Sequence, residues 1–267
     1  MNIKWFLCSL TLGIASGPAW AQATPPVADI NAAQTAAPIS PYVYGQFLEH
    51  IGGLIYSGLW SERLEDRKFY YPVIPRPAES PRGSAPEPGF RRRNVTAGCW
   101  NPIGPVAAVT MDTNAPFVGQ HSPCVQVAGA EPRGLVQAGV ELAGGLPYTG
   151  HIQLAGEAAV SVVIRVVWET NGLATNEVLA LAAGALGKDY QRFSFGFTAS
   201  QSGPARFEIL GTGQGTFHVG AVSLMPSNQV AGFRPEAIDV LKSLRSGVYR
   251  VPGGNFVSAH EWRDAIG

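Results

Sequence analysis

PEAIDVLKSLRSGVYRVPGGNF, residues 235–256, decides how the fold is read. Pro235 suits a first helical turn, where its missing N–H costs nothing, and Glu236 complements the positive end of the helix dipole. Ala237, Ile238, Leu241 and Leu244 recur at helical spacing and form one apolar stripe. Lys242 and Arg245 stand towards the negative end, and Gly247 is in place to cap it. Val248–Val251 then reads as a short strand closed by Pro252, with Gly253-Gly254-Asn255 as the loop behind it. Helix, short strand and glycine loop make α/β texture. The loop runs on through Phe256 to Gly267, and the expectation is that a site it serves is incomplete within these 267 residues.

Upstream, residues 100–226 have a different texture. Short apolar runs such as Val106–Met111, Cys124–Val127, Gly150–Leu154, Val160–Trp168, Gln191–Phe197, Ala205–Leu210 and Thr216–Leu224 alternate with turn signals. The turn signals are Gly144-Gly145, Asn171-Gly172 and Gly211-Thr212-Gly213. Many short strands at such intervals predict a β-sandwich or barrel. Phe193, Phe195 and Phe197 share one face by the period-2 rule, as do Phe207 and Ile209, and both sets are expected in the core.

The N-terminus, MNIKWFLCSLTLGIASGPAWAQA, has one lysine, an apolar run and a small-x-small end at Ala19-Trp20-Ala21. That is the pattern of a secretory leader, and the apolar run is short for a membrane span. The expected location is secreted or periplasmic. Lysines and arginines number 19, as do aspartates and glutamates, which gives no support for a nucleic-acid or membrane partner. With Cys8 in the leader, Cys99 and Cys124 remain. Two cysteines make no disulfide framework, their spacing is not that of a zinc site, and whether they pair stays open. No metal or cofactor motif is present.

Tyr42–Leu48 reads as a second short apolar strand, ending in Glu49-His50 and followed by Gly52-Gly53. Glu49 and Asn255 thus both follow strands, where an α/β barrel presents its ligands. Paired glycines let backbone approach a ligand closely. A carboxylate and an amide together suit sugar hydroxyls, one accepting hydrogen bonds and the other also donating. Phe47, Tyr56, Trp60, Phe256 and Trp262 either stack on a ring or pack in the core. Glycoside hydrolysis needs two carboxyl groups flanking the scissile bond, and no such pair is evident. Glu62 and Glu65 sit in SERLEDRK, which reads mostly as solvated helix surface, and Glu261 with Asp264 reads as a salt-bridged one. No catalytic residue is assigned.

Tyr44-Gly45-Gln46-Phe47-Leu48-Glu49-His50 and Tyr249-Arg250-Val251-Pro252-Gly253-Gly254-Asn255-Phe256 resemble the α-L-arabinofuranosidases of glycoside hydrolase family 51. The resemblance extends to Gly58–Glu62, Pro116–Pro123 and Trp262–Gly267. More narrowly, it looks like secreted bacterial members with a carbohydrate-binding-module-like sandwich between early barrel elements. It implies retaining exo-removal of terminal α-L-arabinofuranosyl groups from arabinoxylan or arabinan. It implies that Glu49, Gly253, Gly254 and Asn255 contact substrate, while both catalytic glutamates of the family lack a counterpart here. Val251 departs from the aromatic that many relatives carry before Pro-Gly-Gly. The partner implied is an arabinose-containing plant polysaccharide or oligosaccharide. The alternatives are a non-catalytic carbohydrate-binding protein, using aromatics such as Trp100, Tyr148 or Trp168, and a structural or adhesive sandwich.

The fold class expected is therefore multi-domain, a jelly-roll β-sandwich inserted into the start of a truncated (β/α)8 TIM barrel. The boundaries are 1–21 signal peptide, 22–40 linker, 41–71 first barrel strand and loop, 72–99 irregular Pro/Arg-rich connection, 100–226 β-sandwich, and 227–267 barrel helix, second strand and start of its loop.

Overall fold

VSVVIRVVW, from Val160 to Trp168, alternates so regularly that only a strand fits it. Val160, Val162, Ile164, Val166 and Trp168 are all buried, each at 1% exposure or less, while Ser161 and Arg165 point outwards. Each such side chain contributes about 1.5–3 kcal/mol by leaving water. The computed structural model describes residues 27–49, 51, 53–73, 75, 99–170, 173–183 and 185–259. The chain divides into two units, Met1–Ile39 and Ser40–Gly267. The described part of the first is exposed and carries one turn, in which Asn31 Oδ1 accepts the Ala33 N–H at 3.0 Å. The leader motif and the Arg91-Arg92-Arg93 run lie outside the described residues, as do His50, His260, Glu261, Trp262 and Asp264.

In the second unit the strands are β1 (Gln46–Phe47), β2 (Trp100–Ile103), β3 (Val109–Asp112), β4 (Ser122–Leu142) and β5 (Pro147–Gly156). They continue with β6 (Val160–Thr170), β7 (Leu173–Ala183), β8 (Gln191–Thr198), β9 (Gly203–Pro226) and β10 (Tyr249–Arg250). Helix α1 spans Pro235–Ser243. Eight strands form one antiparallel sheet in the order β2-β4-β9-β5-β8, with β3 on β4, β6 on β9 and β7 on β6. β4 and β9 are 21 and 24 residues long and serve two layers. The first half of β9 pairs with β6, and its second half with β5. The layers face each other across aromatic side chains. Phe207 of β9 lies 5.9 Å from Phe195 of β8 and 6.3 Å from Trp100 of β2, by ring centroids.

Gly211-Thr212-Gly213, read as a turn, is strand in the structure. β9 runs through it where β4 slips register between Gly129 and Arg133, and Gly213 has a positive φ of 108°. Flexible glycine backbone here bends a continuous strand from one layer to the other.

The segment from Leu59 to Val73 seals the sheet. Arg63 N–H donates to Leu224 O and Val222 N–H to Arg67 O, both at 2.9 Å. The buried Gln137 amide donates to Glu65 O and accepts from Glu65 N, both at 2.8 Å. Phe69 covers Trp100 with ring centroids 5.2 Å apart.

The fold class read from the sequence is corrected here. The described residues form a largely β-sheet structure with two short helices, Leu54–Leu59 and α1, beside single 3-10 turns. They contain no closed barrel and no α/β alternation. β1 and β10 pair in parallel over two residues each, Gln46 with Tyr249 and Phe47 with Arg250, and no third strand among the described residues joins them. A barrel exists only when every strand edge is paired. Tyr42–Tyr44, read as the start of a strand, lie in a 3-10 turn, Pro41–Tyr44, with the Ser40 hydroxyl accepting the Tyr42 N–H. Helix α1 ends at Ser243 with Leu244 as its C-cap and Arg245 just beyond at φ 50°, so Gly247 does not cap it. SERLEDRK is irregular chain bound to the sheet and is not a solvated helix.

Candidate functional site

The short parallel pair positions Glu49. Gln46 N–H donates to Val248 O and Leu48 N–H to Arg250 O, both at 2.9 Å, and Gly253 N–H returns to Leu48 O at 2.8 Å. That last bond folds the glycine loop back over the end of β1. Side chains alternate along a strand. Leu48, Tyr249 and Val251 therefore line an apolar groove of about 500 Å³ with α1, while Phe47 and Arg250 face the other way. The Arg250 guanidinium lies 5.6 Å over the Phe47 ring, and Phe47 packs on Gly253, where a Cβ would stand 2.8 Å from its Cγ.

Gly254 has φ +62°, and the space its Cβ would fill is taken by the Glu49 carboxyl group. No other residue fits both conditions. Gly254 opens a 3-10 turn, Gly254–Ala259, in which Asn255 is second and exposed. Of the four residues expected to contact substrate, the structure thus brings Glu49, Gly253 and Gly254 into one place, with Asn255 next in the chain. The result is a half-buried carboxylate over a half-buried Gly254, with Gly253 buried under Phe47 and an exposed Asn255 beside them.

Other carboxylates near in sequence are engaged elsewhere. Glu62 Oε1 accepts from Leu64 N at 3.1 Å and from Leu224 N at 2.8 Å, and its Oε2 accepts from the Ser223 hydroxyl at 2.6 Å. Burial pushes its carboxyl above the ordinary range, against these hydrogen bonds and Arg67. Asp66 accepts from Tyr70 and Tyr71 N–H. Of the aromatics, Trp100, Tyr148 and Trp168 are core at 1–2% exposure and offer no ring to a glycan. Tyr56 is exposed with its ring centroid 5.8 Å from Trp60, and the Arg67 guanidinium covers the Trp60 ring at 5.3 Å. Cys99 and Cys124 are both free. No helix among the described residues is long and apolar enough to cross a membrane.

A second concavity, about 240 Å³, lies on the sheet between Asp112, Ala155, His218 and the loop residues Lys188, Asp189 and Tyr190. Sequence reasoning passed over these residues. They come from β3, β5, β9 and the loop before β8, and no local pattern in the sequence joins them.

No family model matches the chain. Over 42 residues, 16% of this chain and 8% of the relative, it is 43% identical to an exo-α-(1→6)-L-arabinofuranosidase of Bifidobacterium longum. The structure is similar to that of an arabinose-bound family 51 α-L-arabinofuranosidase, MgGH51, with a TM-score of 0.58 and 18% identity. That match covers 84% of this chain and 37% of the other, so the chain spans well under half of either relative. A structure of a family 4 carbohydrate-binding module aligns at a TM-score of 0.40 and 14% identity, over 61% of this chain and 98% of the module. The chain therefore has a distant link, in structure and in sequence, to a carbohydrate-active family 51 arabinofuranosidase. The link is weak homology to a glycoside hydrolase family and carries no firm sign of catalytic competence.

Proposed function

We propose that this chain is a non-catalytic carbohydrate-binding protein whose sugar contact is made by Glu49 and the Gly253-Gly254-Asn255 loop. Its ligand class is an arabinose-containing plant polysaccharide or oligosaccharide, and its place is secreted or periplasmic. The observation that carries the reading is the Glu49 carboxyl group seated over Gly254 at the end of the parallel strand pair. A fixed carboxylate accepts from two hydroxyls at once, and the neighbouring amide donates and accepts. The distant link to the arabinofuranosidases supports the ligand class. The leader-like N-terminus supports the location.

A second reading is retaining exo-hydrolysis of terminal α-L-arabinofuranosyl groups by the whole protein. The 42-residue match to the Bifidobacterium enzyme favours it. It needs two carboxyl groups about 5–5.5 Å apart. Neither has a counterpart in this sequence, Glu49 being a substrate contact and Glu62 being held by Ser223 and Leu224.

Calorimetric titration with L-arabinose and arabinoxylan oligosaccharides tests the proposal, alongside an assay on an aryl α-L-arabinofuranoside. A hydrogen bond to a charged group is worth about 1.5–3 kcal/mol. Glu49→Gln should therefore weaken binding at least about tenfold, and no turnover should be seen. Absence of binding rejects the proposal, and turnover that depends on Glu49 replaces it with the second reading.

A further inference from the structure

Asp112 at the end of β3, His218 of β9 and Ala155 of β5 stand side by side on the sheet, since His218 pairs with Ala155 in register. His218 Nε2 lies 3.2 Å from Asp112 Oδ2. Asp112 Oδ1 accepts the Asn114 N–H at 2.9 Å and its side-chain amide at 3.1 Å. The Asn114 backbone N–H, helped by His218, holds the Asp112 carboxyl below the ordinary range, so it is ionised at neutral pH. Lys188, Asp189 and Tyr190 close the other side of the cavity.

Tyr190 is fixed. Its ring meets Phe117 edge-on, with centroids 5.2 Å apart, and a Cβ on Gly220 would stand 2.9 Å from its Cε1. Gly220 is thus what lets both rings lie against β9. Burial pushes the Tyr190 hydroxyl up, with Ser122 opposing, and its buried oxygen leaves the ring as the part that walls the cavity.

We infer that this cavity is a second sugar-binding site, taking one ring of a neutral polyhydroxylated ligand. It shares no residue with the Glu49 loop, and it rests on the proposed function only for the class of ligand. Two carboxylates repel an anion. Among the described residues no group of three or more His, Cys, Asp and Glu is disposed to hold a metal ion. What remains is two acceptors (Asp112, Asp189) and a donor (Lys188), with His218 able to do either. Vicinal hydroxyls, each donating and accepting, match that set. Ala115, Pro116 and Ala155 supply apolar wall for the C–H face of a ring. About 240 Å³ falls just below the range of roughly 300 Å³ upward for drug-sized pockets, which suits a single ring.

Titration of the ¹⁵N-labelled full chain with L-arabinose, xylohexaose and β-1,4-galactotriose, read by NMR, tests this. At least one probe should shift the amides of Ala155, Tyr190 and His218. Lys188→Ala combined with Asp189→Ala, both on an exposed loop, should weaken that response at least tenfold with unchanged melting temperature. Glu49→Gln should leave it intact. Shifts confined to residues 253–255 overturn the second site and leave the Glu49 reading standing. Shifts at the cavity alone support the second site and remove the first. Shifts at neither overturn both.

Discussion

Glu62 Oε1 accepts the N–H of Leu224, 162 residues further along the chain, at 2.8 Å. With Ser223 on Oε2, this carboxyl group ties the segment before the sheet to the end of β9. Burial is the largest influence on it and raises its proton affinity above the ordinary 4.5. The folded state then binds more protons than the unfolded one in the window above that value. The stability this group contributes is therefore greatest at low pH and is lost as pH rises through the window. Glu62→Gln removes the titration. Thermal melts from pH 4 to 7.5 should show the variant gaining on the parent as pH rises. Parallel pH profiles would show that Glu62 does not titrate with folding.

Phe207 is fully buried between Trp100 and Phe195 and joins the two layers. Truncation to alanine leaves a cavity that the two flanking aromatic residues cannot fill. Chemical denaturation of Phe207→Ala should show a loss of about 3–5 kcal/mol. A loss under about 1 kcal/mol would mean that the layers do not pack through this residue.

How much of this was legible depends on the distance over which each feature is decided. The alternation of Val160–Trp168 and the apolar spacing in α1 are local, and reading them required only the period. The barrel expectation failed because strand identity at Tyr42–Leu48 and Val248–Val251 was inferred from apolar runs, whereas pairing spans only Gln46–Phe47 and Tyr249–Arg250. Gly211-Thr212-Gly213 misled because a bent strand and a turn demand the same residue. The meeting of Glu49 with Gly254 was visible in outline, since each follows a strand and precedes or includes glycines. The tie from Glu62 to Ser223, and that from Asp112 to His218, join residues more than a hundred positions apart and leave no local trace.

Gly254→Ala should damage the proposed sugar contact specifically. A Cβ there collides with the Glu49 carboxyl group and, at φ +62°, costs about 1–2 kcal/mol of backbone strain. L-Arabinose affinity should fall at least tenfold, while the sheet, which does not use this loop, keeps its melting temperature. Unchanged affinity would separate Gly254 from the site.

Cys99 is buried, and its thiol is pushed up to about 12, chiefly by burial, with Asp66 and Glu65 adding to it. Only the thiolate reacts. At pH 8 a maleimide should leave Cys99 unmodified in the folded chain and modify it on unfolding, as mass spectrometry of tryptic peptides reports. Fast labelling of native protein at Cys99 would show that the Glu65–Phe69 cover opens readily.

Glu208, at 1% exposure, is held between two guanidinium groups. Arg165 Nε donates to Oε2 at 2.8 Å, and Arg206 donates to Oε1. Each arginine is about a third exposed and reaches outward to a rim carboxylate, Arg206 to Glu169 at 2.6 Å and Arg165 to Glu177 at 3.5 Å. The buried carboxylate and the rim carboxylates therefore differ in worth. Removing a buried partner strands charges that water reaches poorly, at about 3–5 kcal/mol. An exposed pair is worth about 0–1 kcal/mol. The partial exposure of both arginines places Glu208→Ala near the lower end, about 3 kcal/mol, and Glu169→Ala under about 1 kcal/mol. Denaturation in low and high salt separates the two, because salt screens the rim and hardly touches the centre. Equal losses for both variants would show that Glu208 is solvated despite its burial.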